Sequence, residues 1–185
     1  MVVENDFSSF DSSQGSETLS MIIEVLQDCG LPDEVADWMR LDTQCFNVYG
    51  PNNVSYRVRN VRASGRSETL LGNTIANMIL TYHVFKDNIR FMVIKGDDSV
   101  CFLDTSTESG ILAKAESTLT GLGYKSKMFI KTLDTVEFCS SYVVPFGNKH
   151  VLTPKPGKML AKTFWCKNTN YTVEEQKMQF AGILN

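Results

Sequence analysis

The spacing of apolar residues alternates between a helical and a strand period, which predicts a mixed fold. Apolar residues recur every three or four positions in residues 16–29 and 110–121, with glycines at the end of each segment. Pro32, followed by two acidic residues, predicts the start of a further helix. Another helix is marked by five residues at the same spacing: Leu71, Ile75, Met78, Ile79 and Tyr82.

Short apolar runs bounded by turn residues predict strands between these helices. The predicted strands are 1–10, 45–49, 54–61, 90–94, 100–103, 124–131, 136–144 and 150–153. Residues 95–98 form a turn that joins two of them into a hairpin. Residues 158–165 and 173–181 have helical spacing. This order predicts an α+β fold, with an antiparallel sheet and helices packed on one face.

Composition excludes several classes of protein. The 185 residues are 43% hydrophobic, enough for one domain with a core, and no stretch approaches the ~20 apolar residues that span a bilayer. Five cysteines are widely spread without a C-x-x-C pattern, and the two histidines do not sit at zinc-ligand spacing. We therefore expect reduced thiols in a cytosolic setting and no structural zinc.

Charge is distributed unevenly along the chain. Residues 1–124 carry nine Lys or Arg and seventeen Asp or Glu, a net charge of −8. Residues 125–167 carry eight Lys and two acidic residues, a net charge of +6. An acidic segment that holds cations next to a basic segment that holds phosphates suits a nucleic-acid enzyme, although patchy surface charge explains the same numbers.

Two clusters of acidic residues are candidates for metal binding. Asp6 ends an apolar strand and Asp11 follows five residues later, while Asp97 and Asp98 lie at the tip of the predicted hairpin. Adjacent carboxylates repel one another and stay ionised only near a cation or hydrogen-bond donors. If the first strand lies beside the hairpin, Asp6 and Asp97 converge, and their oxygens suit Mg²⁺. Each cluster alone is equally explained by an ordinary turn.

A third segment places polar residues at the start of a helix. The flexible pair Ser64-Gly65 precedes Thr69 and Asn73, which are four positions apart and so share a helix face. An Asn amide both donates and accepts, so it can recognise a ribose 2′-hydroxyl. The alternative is a capped helix with polar residues at its exposed end.

Taken together, these segments resemble motifs A, B and C of positive-strand RNA virus RNA-dependent RNA polymerases. The motifs are Asp-x4-Asp at Asp6, Ser-Gly-x3-Thr-x3-Asn at Ser64, and Gly-Asp-Asp at Gly96, in that order. Residues 121–127 resemble motif D and residues 138–141 resemble motif E. The chain is most similar to the alphavirus-like group, hepatitis-E-virus-type members especially, over roughly residues 2–165.

The resemblance implies a polymerase palm whose residues have defined roles. Asp6 and Asp97 are then ligands of two Mg²⁺ ions, which Mn²⁺ can replace, and Asp98 is a weaker ligand. Asp11 and Asn73 select ribose with help from Thr69, and Ser64 with Gly65 forms a mobile loop that positions template and nucleotide.

Motifs D and E imply further roles. The motif D lysine that protonates pyrophosphate is Lys125 or Lys127. Because alternate strand residues point the same way, either both face the site or neither does. In motif E, a hairpin containing Phe138, Cys139 and Ser140 grips the growing strand. The basic segment implies contacts with RNA phosphates through four lysines: Lys149, Lys155, Lys158 and Lys162.

The resemblance also implies partners and a larger context. We expect residues 1–153 to form the palm with a hairpin leading to the thumb, residues 154–185 to begin the thumb, and a basic fingers segment to lie upstream. The partners are then template and product RNA, ribonucleoside triphosphates and the rest of a replicase polyprotein, in membrane-associated complexes of the host cytoplasm. Two alternatives remain: another palm-type polymerase such as a reverse transcriptase, and a non-catalytic RNA-binding domain.

Overall fold

The computed structural model describes residues 1–63, 65–104, 110–163 and 172–184, and the chain divides into two compact units. The unit of residues 1–131 contains eleven of the helices and strands: β1 (Val2–Ser8), α1 (Phe10–Ser13), α2 (Ser16–Asp28), α3 (Asp33–Gln44), β2 (Cys45–Tyr49), β3 (Ser55–Arg59), α4 (Thr69–Phe85), β4 (Ile89–Lys95), β5 (Asp98–Leu103), α5 (Ile111–Gly121) and β6 (Lys125–Lys131). No helix of the described residues is long and apolar enough to span a lipid bilayer.

The unit of residues 132–185 contains a smaller sheet and two helices. Its described elements are β7 (Glu137–Phe138), β8 (Ser141–Phe146), β9 (Lys149–Pro154), α6 (Pro156–Thr163) and α7 (Val173–Leu184). The three strands pair antiparallel in the order β7-β8-β9.

The larger unit is built on a four-stranded antiparallel sheet in the order β4-β5-β1-β6. Val3 pairs with Cys101 on one side and with Ile130 on the other, so β1 lies between the hairpin and β6. The predicted neighbourhood of the first strand and the hairpin is therefore confirmed.

Alternation along the strands gives this sheet one buried face. The buried sheet residues Val3, Phe7, Cys101, Leu103 and Met128 all belong to one alternating set, and they share a core with residues of α2, α4 and α5. The opposite set is exposed towards the Asp6 end of β1, whereas Val100 in the middle of β5 is buried on this face as well. The α+β class with antiparallel sheets and helices is confirmed.

Three details differ from the sequence prediction. The strand predicted over 136–144 is interrupted, because Cys139 and Ser140 adopt positive φ angles of 50° and 62° and form a tight turn between β7 and β8. Asp6 lies inside β1 rather than at its end. The buried face of α4 also differs from the prediction. Leu71, Met78 and Tyr82, three of the five apolar residues that indicated this helix, are exposed, while polar side chains of α4 are buried.

Candidate active site

The turn that carries Asp97 is held in place by helix α4. Gly96 has a positive φ of 63°, which a glycine tolerates at no steric cost. Its N–H donates to the Thr74 hydroxyl over 2.8 Å. The Asn77 amide donates to the backbone carbonyls of Gly96 and Asp97 over 3.1 and 3.0 Å, and Asn77 is fully buried. The backbone beneath Asp97 is therefore fixed, while its carboxylate is exposed.

Asp6 and Asp98 lie on the exposed face of the sheet. Asn5 pairs with Ser99, so one further step of the antiparallel register places Asp6 opposite Asp98. Residues opposite one another in an antiparallel pair point to the same face. The two carboxylates therefore share a face at the end of the sheet next to the Gly96–Asp97 turn.

The acidic side chains are placed near one another, but they do not form a closed metal cage. Among the residues that the structure describes, no three His, Cys, Asp or Glu side chains form a group that could hold a metal ion. Asp6 and Asp97 make no hydrogen bond or ion pair through their carboxylates within the described part of the chain. Their oxygen donors nevertheless have the chemistry that a hard divalent cation prefers.

Both candidate lysines of motif D lie on the face of the sheet that carries Asp6. Lys127 pairs directly with Asp6, and Lys125 pairs with Ser8. Both are exposed. The alternation of strand residues left open whether both lysines or neither lie on the face of Asp6. The register of β1 with β6 shows that both do.

Asp11 is positioned by a sharp turn after β1. Ser9 adopts a positive φ of 56°, and the short helix α1 begins at the next residue. Phe10 packs against Phe7 and Tyr124, with ring centroids 4.4 and 5.7 Å away. This aromatic packing fixes the turn, so Asp11 is brought towards α4.

Asn73 is the central member of a network that includes Asp11. Its Nδ2 donates to an Asp11 oxygen over 2.5 Å, and its Oδ1 accepts from Gln14 Nε2 over 2.8 Å. Gln14 Oε1 in turn accepts from Arg62 Nε over 2.8 Å. We call these four residues the ribose-side network, after the role in ribose recognition that the sequence resemblance implies for Asp11 and Asn73. Asn73 is only 7% exposed, so the expectation of a polar residue on an exposed helix end is wrong for this position.

Arg62, at one end of this network, is a buried cation. It is 7% exposed, and its guanidinium lies against Gly72 of α4, where a Cβ would come within 2.5–2.7 Å of it. Burial lowers the pKa of Arg62, and the neighbouring acids Glu68 and Asp11 raise it. An arginine stays protonated in proteins, so Arg62 acts as a donor only.

A cleft of about 360 Å³ joins the ribose-side network to the hairpin tip. Its walls are formed by seven residues: Ser9, Phe10, Asp11, Ser12, Arg62, Asn73 and Asp97. A larger cleft of about 540 Å³ lies elsewhere in the same unit, against α2, α3 and the β2–β3 hairpin. The smaller cleft nevertheless contains predicted residues from both motif A and motif C together with the motif B asparagine.

The start of motif B is described only in part. Ser64 lies outside the described residues. Gly65 is exposed and has a positive φ of 86°. The Thr69 hydroxyl donates to the Ala63 carbonyl over 3.1 Å, so this side chain ties the start of α4 to the preceding loop.

The candidate RNA-binding residues belong to the second unit. Phe138 pairs with Ser141 across the turn formed by Cys139 and Ser140. Lys158 donates to the Ser140 hydroxyl over 2.7 Å, while Lys155 forms an ion pair with Glu137 and lies 5.2 Å from the centre of the Tyr142 ring. Lys149 is exposed at the start of β9, and the side chain of Lys162 lies outside the described ones.

Comparison with known proteins identifies the family. The family profile described as RNA dependent RNA polymerase matches residues 1–175. The chain belongs to this polymerase family. It is 31% identical over 163 residues, 87% of the chain, to the replicase polyprotein 1ab of Beet yellows virus.

Other relatives of this polymerase chain come from hepatitis E viruses. It is 33% identical over 129 residues, 69% of the chain, to the non-structural polyprotein pORF1 of hepatitis E virus genotype 3. It is 36% identical over 101 residues, 54% of the chain, to that of avian hepatitis E virus. The resemblance to the alphavirus-like group is thus confirmed. The matches span only 5%, 7% and 6% of the three polyproteins.

Sequence reasoning missed three residues of this polymerase site: Gln14, Arg62 and Asn77. Gln14 follows the motif A aspartates, and Asn77 lies one helical turn beyond Asn73, so proximity to the motifs was the only available signal. Arg62 lies among Arg57, Arg59 and Arg66 and has no distinguishing feature in the sequence. Burial is what separates it from an exposed arginine such as Arg59.

Proposed function

We propose that this chain is the palm region of a viral polymerase that transfers ribonucleoside monophosphates to the 3′ end of RNA under the direction of an RNA template. The observation that carries the proposal is the cleft in which Asp97 of the hairpin tip faces the hydrogen-bonded pair Asp11 and Asn73. Membership of the polymerase family supports the same reaction. Residues 1–153 are assigned to the palm and residues 154–185 to the start of the thumb.

Asp6, Asp97 and Asp98 are proposed to hold the divalent cations, two Mg²⁺ ions that Mn²⁺ can replace. The donor set fits, because all three are exposed carboxylates on β1 and the neighbouring hairpin. When bound, two such ions stabilise charge on the attacking and leaving oxygens of an in-line displacement. The carboxylates orient the reacting groups at the end of the sheet, where Gly96 and Asn77 fix the backbone.

Asp11 and Asn73 are proposed to select ribose. The Asn73 amide donates one N–H to Asp11 and has a second N–H that can reach a 2′-oxygen. The 2′-hydroxyl can then donate to the Asp11 carboxylate. A deoxyribose leaves both groups without this partner in a partly buried site, which disfavours it. Thr69, Ser64 and Gly65 position the nucleotide and template at the start of α4.

Lys125 and Lys127 are proposed as sources of the proton for the leaving pyrophosphate. Their support is the shared sheet face: Lys127 pairs with Asp6, and Lys125 pairs with Ser8, nearer to the Ser9 turn that borders the cleft. A lysine ammonium that donates its proton to the departing oxygen prevents accumulation of negative charge there. Separate replacement of each lysine by methionine, followed by the pH dependence of single-nucleotide incorporation, distinguishes the two.

The second unit is proposed to hold RNA. The hairpin with Phe138, Cys139 and Ser140 contacts the growing strand, and Lys149, Lys155, Lys158 and Lys162 contact phosphates. Lys155 has to exchange its ion pair with Glu137 for a phosphate contact, whereas Lys149 is exposed. Binding through these lysines should weaken as salt increases.

The proposed setting follows from the relatives, which are large replicase polyproteins. We propose that the partners are RNA template and product, ribonucleoside triphosphates and the rest of such a polyprotein, in membrane-associated complexes of the host cytoplasm.

Primer extension by the full-length polymerase tests the proposal. On an RNA template, the account predicts extension with the four ribonucleotides in the presence of Mg²⁺ or Mn²⁺ and none with a chelator. Efficient use of deoxyribonucleotides would favour a reverse transcriptase. RNA binding without any extension would favour a non-catalytic RNA-binding domain.

A further inference from the structure

The order of donors and acceptors along the ribose-side network is fixed by the chemistry of its two end residues. Arg62 can only donate, and an ionised Asp11 can only accept. Gln14 therefore presents Oε1 to Arg62 and Nε2 to Asn73, and Asn73 must present Oδ1 to Gln14. It follows that the N–H side of the Asn73 amide faces Asp11. An isolated Asn amide would lack this restriction, because its two ends differ little in size.

Burial of the network stabilises this order of donors and acceptors. Gln14 is fully buried and Arg62 is 7% exposed, so neither can exchange its partner for bulk water without opening the core. Gly72 makes the arrangement possible, since any side chain at that position would overlap the guanidinium of Arg62. A buried polar group that loses its partner is costly, so the orientation with every bond made is strongly preferred.

We propose that Gln14 and Arg62 are positioning residues for ribose selection: they hold the Asn73 amide with its N–H side towards Asp11 and the sugar. This inference rests on the proposed role of Asp11 and Asn73 in recognising the 2′-hydroxyl. Neither residue touches the nucleotide's reacting atoms in this account. Their effect is on the choice between ribose and deoxyribose.

Gln14→Glu is the most direct test. The variant is nearly identical in shape and keeps an acceptor for Arg62, but a carboxylate cannot donate to Asn73 Oδ1. The Asn73 amide can donate to the new carboxylate only if its N–H side turns towards position 14 and away from Asp11. In the full-length polymerase, the ratio of kcat/KM for ATP to that for dATP should fall by about tenfold or more, the value of one hydrogen bond to the sugar. Equilibrium binding of the two nucleotides should change in the same direction.

Substitutions at Arg62 and Gly72 approach the same network from its other end. Arg62→Met removes the donor that orients Gln14 and should lower the preference, whereas Arg62→Lys restores a donor and should recover part of it. Gly72→Ala displaces the guanidinium and should also lower the preference. Gly50→Ala is the control, because a Cβ there meets nothing closer than 3.6 Å in the turn between β2 and β3, and it should leave the preference unchanged.

The outcomes separate this inference from the proposed function. A wild-type protein that binds ATP more tightly than dATP but extends no primer contradicts the polymerase activity alone. Variants at Gln14 or Arg62 that keep the wild-type preference, or that lose ATP and dATP incorporation equally, overturn the positioning role. If Gln14→Glu does not fold, the comparison of Arg62→Met with Arg62→Lys decides the question.

Discussion

The two sides of the cleft carry the same kind of side chain but are ordered in different ways. On one side, the Asp11 carboxylate accepts from Asn73, and the rest of the ribose-side network extends to a buried arginine. The other side of the cleft is formed by Asp97. Asp97 belongs with Asp6 and Asp98 to a group of exposed carboxylates at this end of the sheet, which we call the acidic end. The Asp11 carboxylate is oriented by its hydrogen bond to Asn73. The carboxylates of Asp6 and Asp97 make no hydrogen bond or ion pair within the described residues, and the bonds from Asn77 hold only the backbone of the turn.

This difference follows from what each carboxylate faces. An amide or a guanidinium that is part of the folded protein stabilises an adjacent carboxylate whether or not a ligand is bound. Carboxylates that face one another repel, and a cation or hydrogen-bond donors are needed to lower the free energy of bringing them together. The comparison predicts that substitutions in the network change stability and sugar choice, while substitutions at the acidic end change catalysis and leave stability intact.

The largest effect is expected for Asp97→Asn. Primer extension by the full-length polymerase should fall by about a thousandfold or more, since metal-assisted charge stabilisation contributes several kcal/mol. The melting temperature should stay the same or rise, because a repelling charge has been removed from an exposed turn. Asp87→Asn, at another exposed aspartate, serves as the control and should leave both quantities unchanged. A large loss of stability in Asp97→Asn would contradict the expectation that substitutions at the acidic end leave stability intact.

Asn77→Ala should be next in size, and it tests whether the acidic end depends on its backbone. The substitution removes the donor to the Gly96 and Asp97 carbonyls, and a displacement of the turn by ~1 Å can lower the rate by about 100-fold. Single-nucleotide incorporation measures the effect. Thr81→Val is the control, because it removes only the 3.1 Å bond to Asn77 Oδ1 and leaves the turn supported. Equal rates in both variants would show that the turn does not need Asn77.

Asn73→Ala should lower the preference for ATP over dATP by about tenfold and the free energy of unfolding by about 1–3 kcal/mol, since it breaks one buried and one partly buried hydrogen bond. Asp11→Ala should lower the same preference. Both effects are measured by kcat/KM for ATP and dATP and by denaturant unfolding. Asn88→Ala removes an amide bonded to the Phe85 carbonyl and should alter stability alone. Unchanged sugar discrimination in Asn73→Ala and Asp11→Ala would refute the assignment.

The smallest effect concerns the interior on which both sides rest. Burial raises the pKa of the Cys101 thiol from 9.0 to about 12. Because the folded-state pKa is the higher one, this contribution to stability is complete below about pH 9 and is lost as the pH rises towards 12. The free energy of unfolding should decline between pH 8 and 11 by more in the wild type than in Cys101→Ala, which keeps Tyr124 as a second group whose pKa is raised by burial. At pH 8 a thiol reagent should modify exposed Cys29 and leave Cys101 unreacted; rapid reaction at Cys101 would contradict a closed core.

The sequence alone predicted most of the strands and the hairpin, because alternation and turn residues are local signals. It did not predict the turn at Cys139 and Ser140, which divides the strand expected over 136–144 into β7 and β8. It placed Asp6 beside the hairpin through motif order, and the register of β1 with β5 agrees. It misjudged the buried face of α4, because Asn73 and Asn77 are buried through hydrogen bonds rather than hydrophobicity. It did not identify Arg62, since its burial depends on Gly72, a contact between residues that no periodicity records.

Binding of Mn²⁺ to the full-length polymerase shows whether the acidic end is a metal site. Electron paramagnetic resonance of free Mn²⁺ gives the affinity for the wild type and for Asp6→Asn, Asp97→Asn and Asp87→Asn. The account predicts that the first two substitutions weaken binding by about tenfold or more, while Asp87→Asn binds like the wild type. Identical titration curves for all four proteins would contradict the assignment of Asp6 and Asp97 as metal ligands.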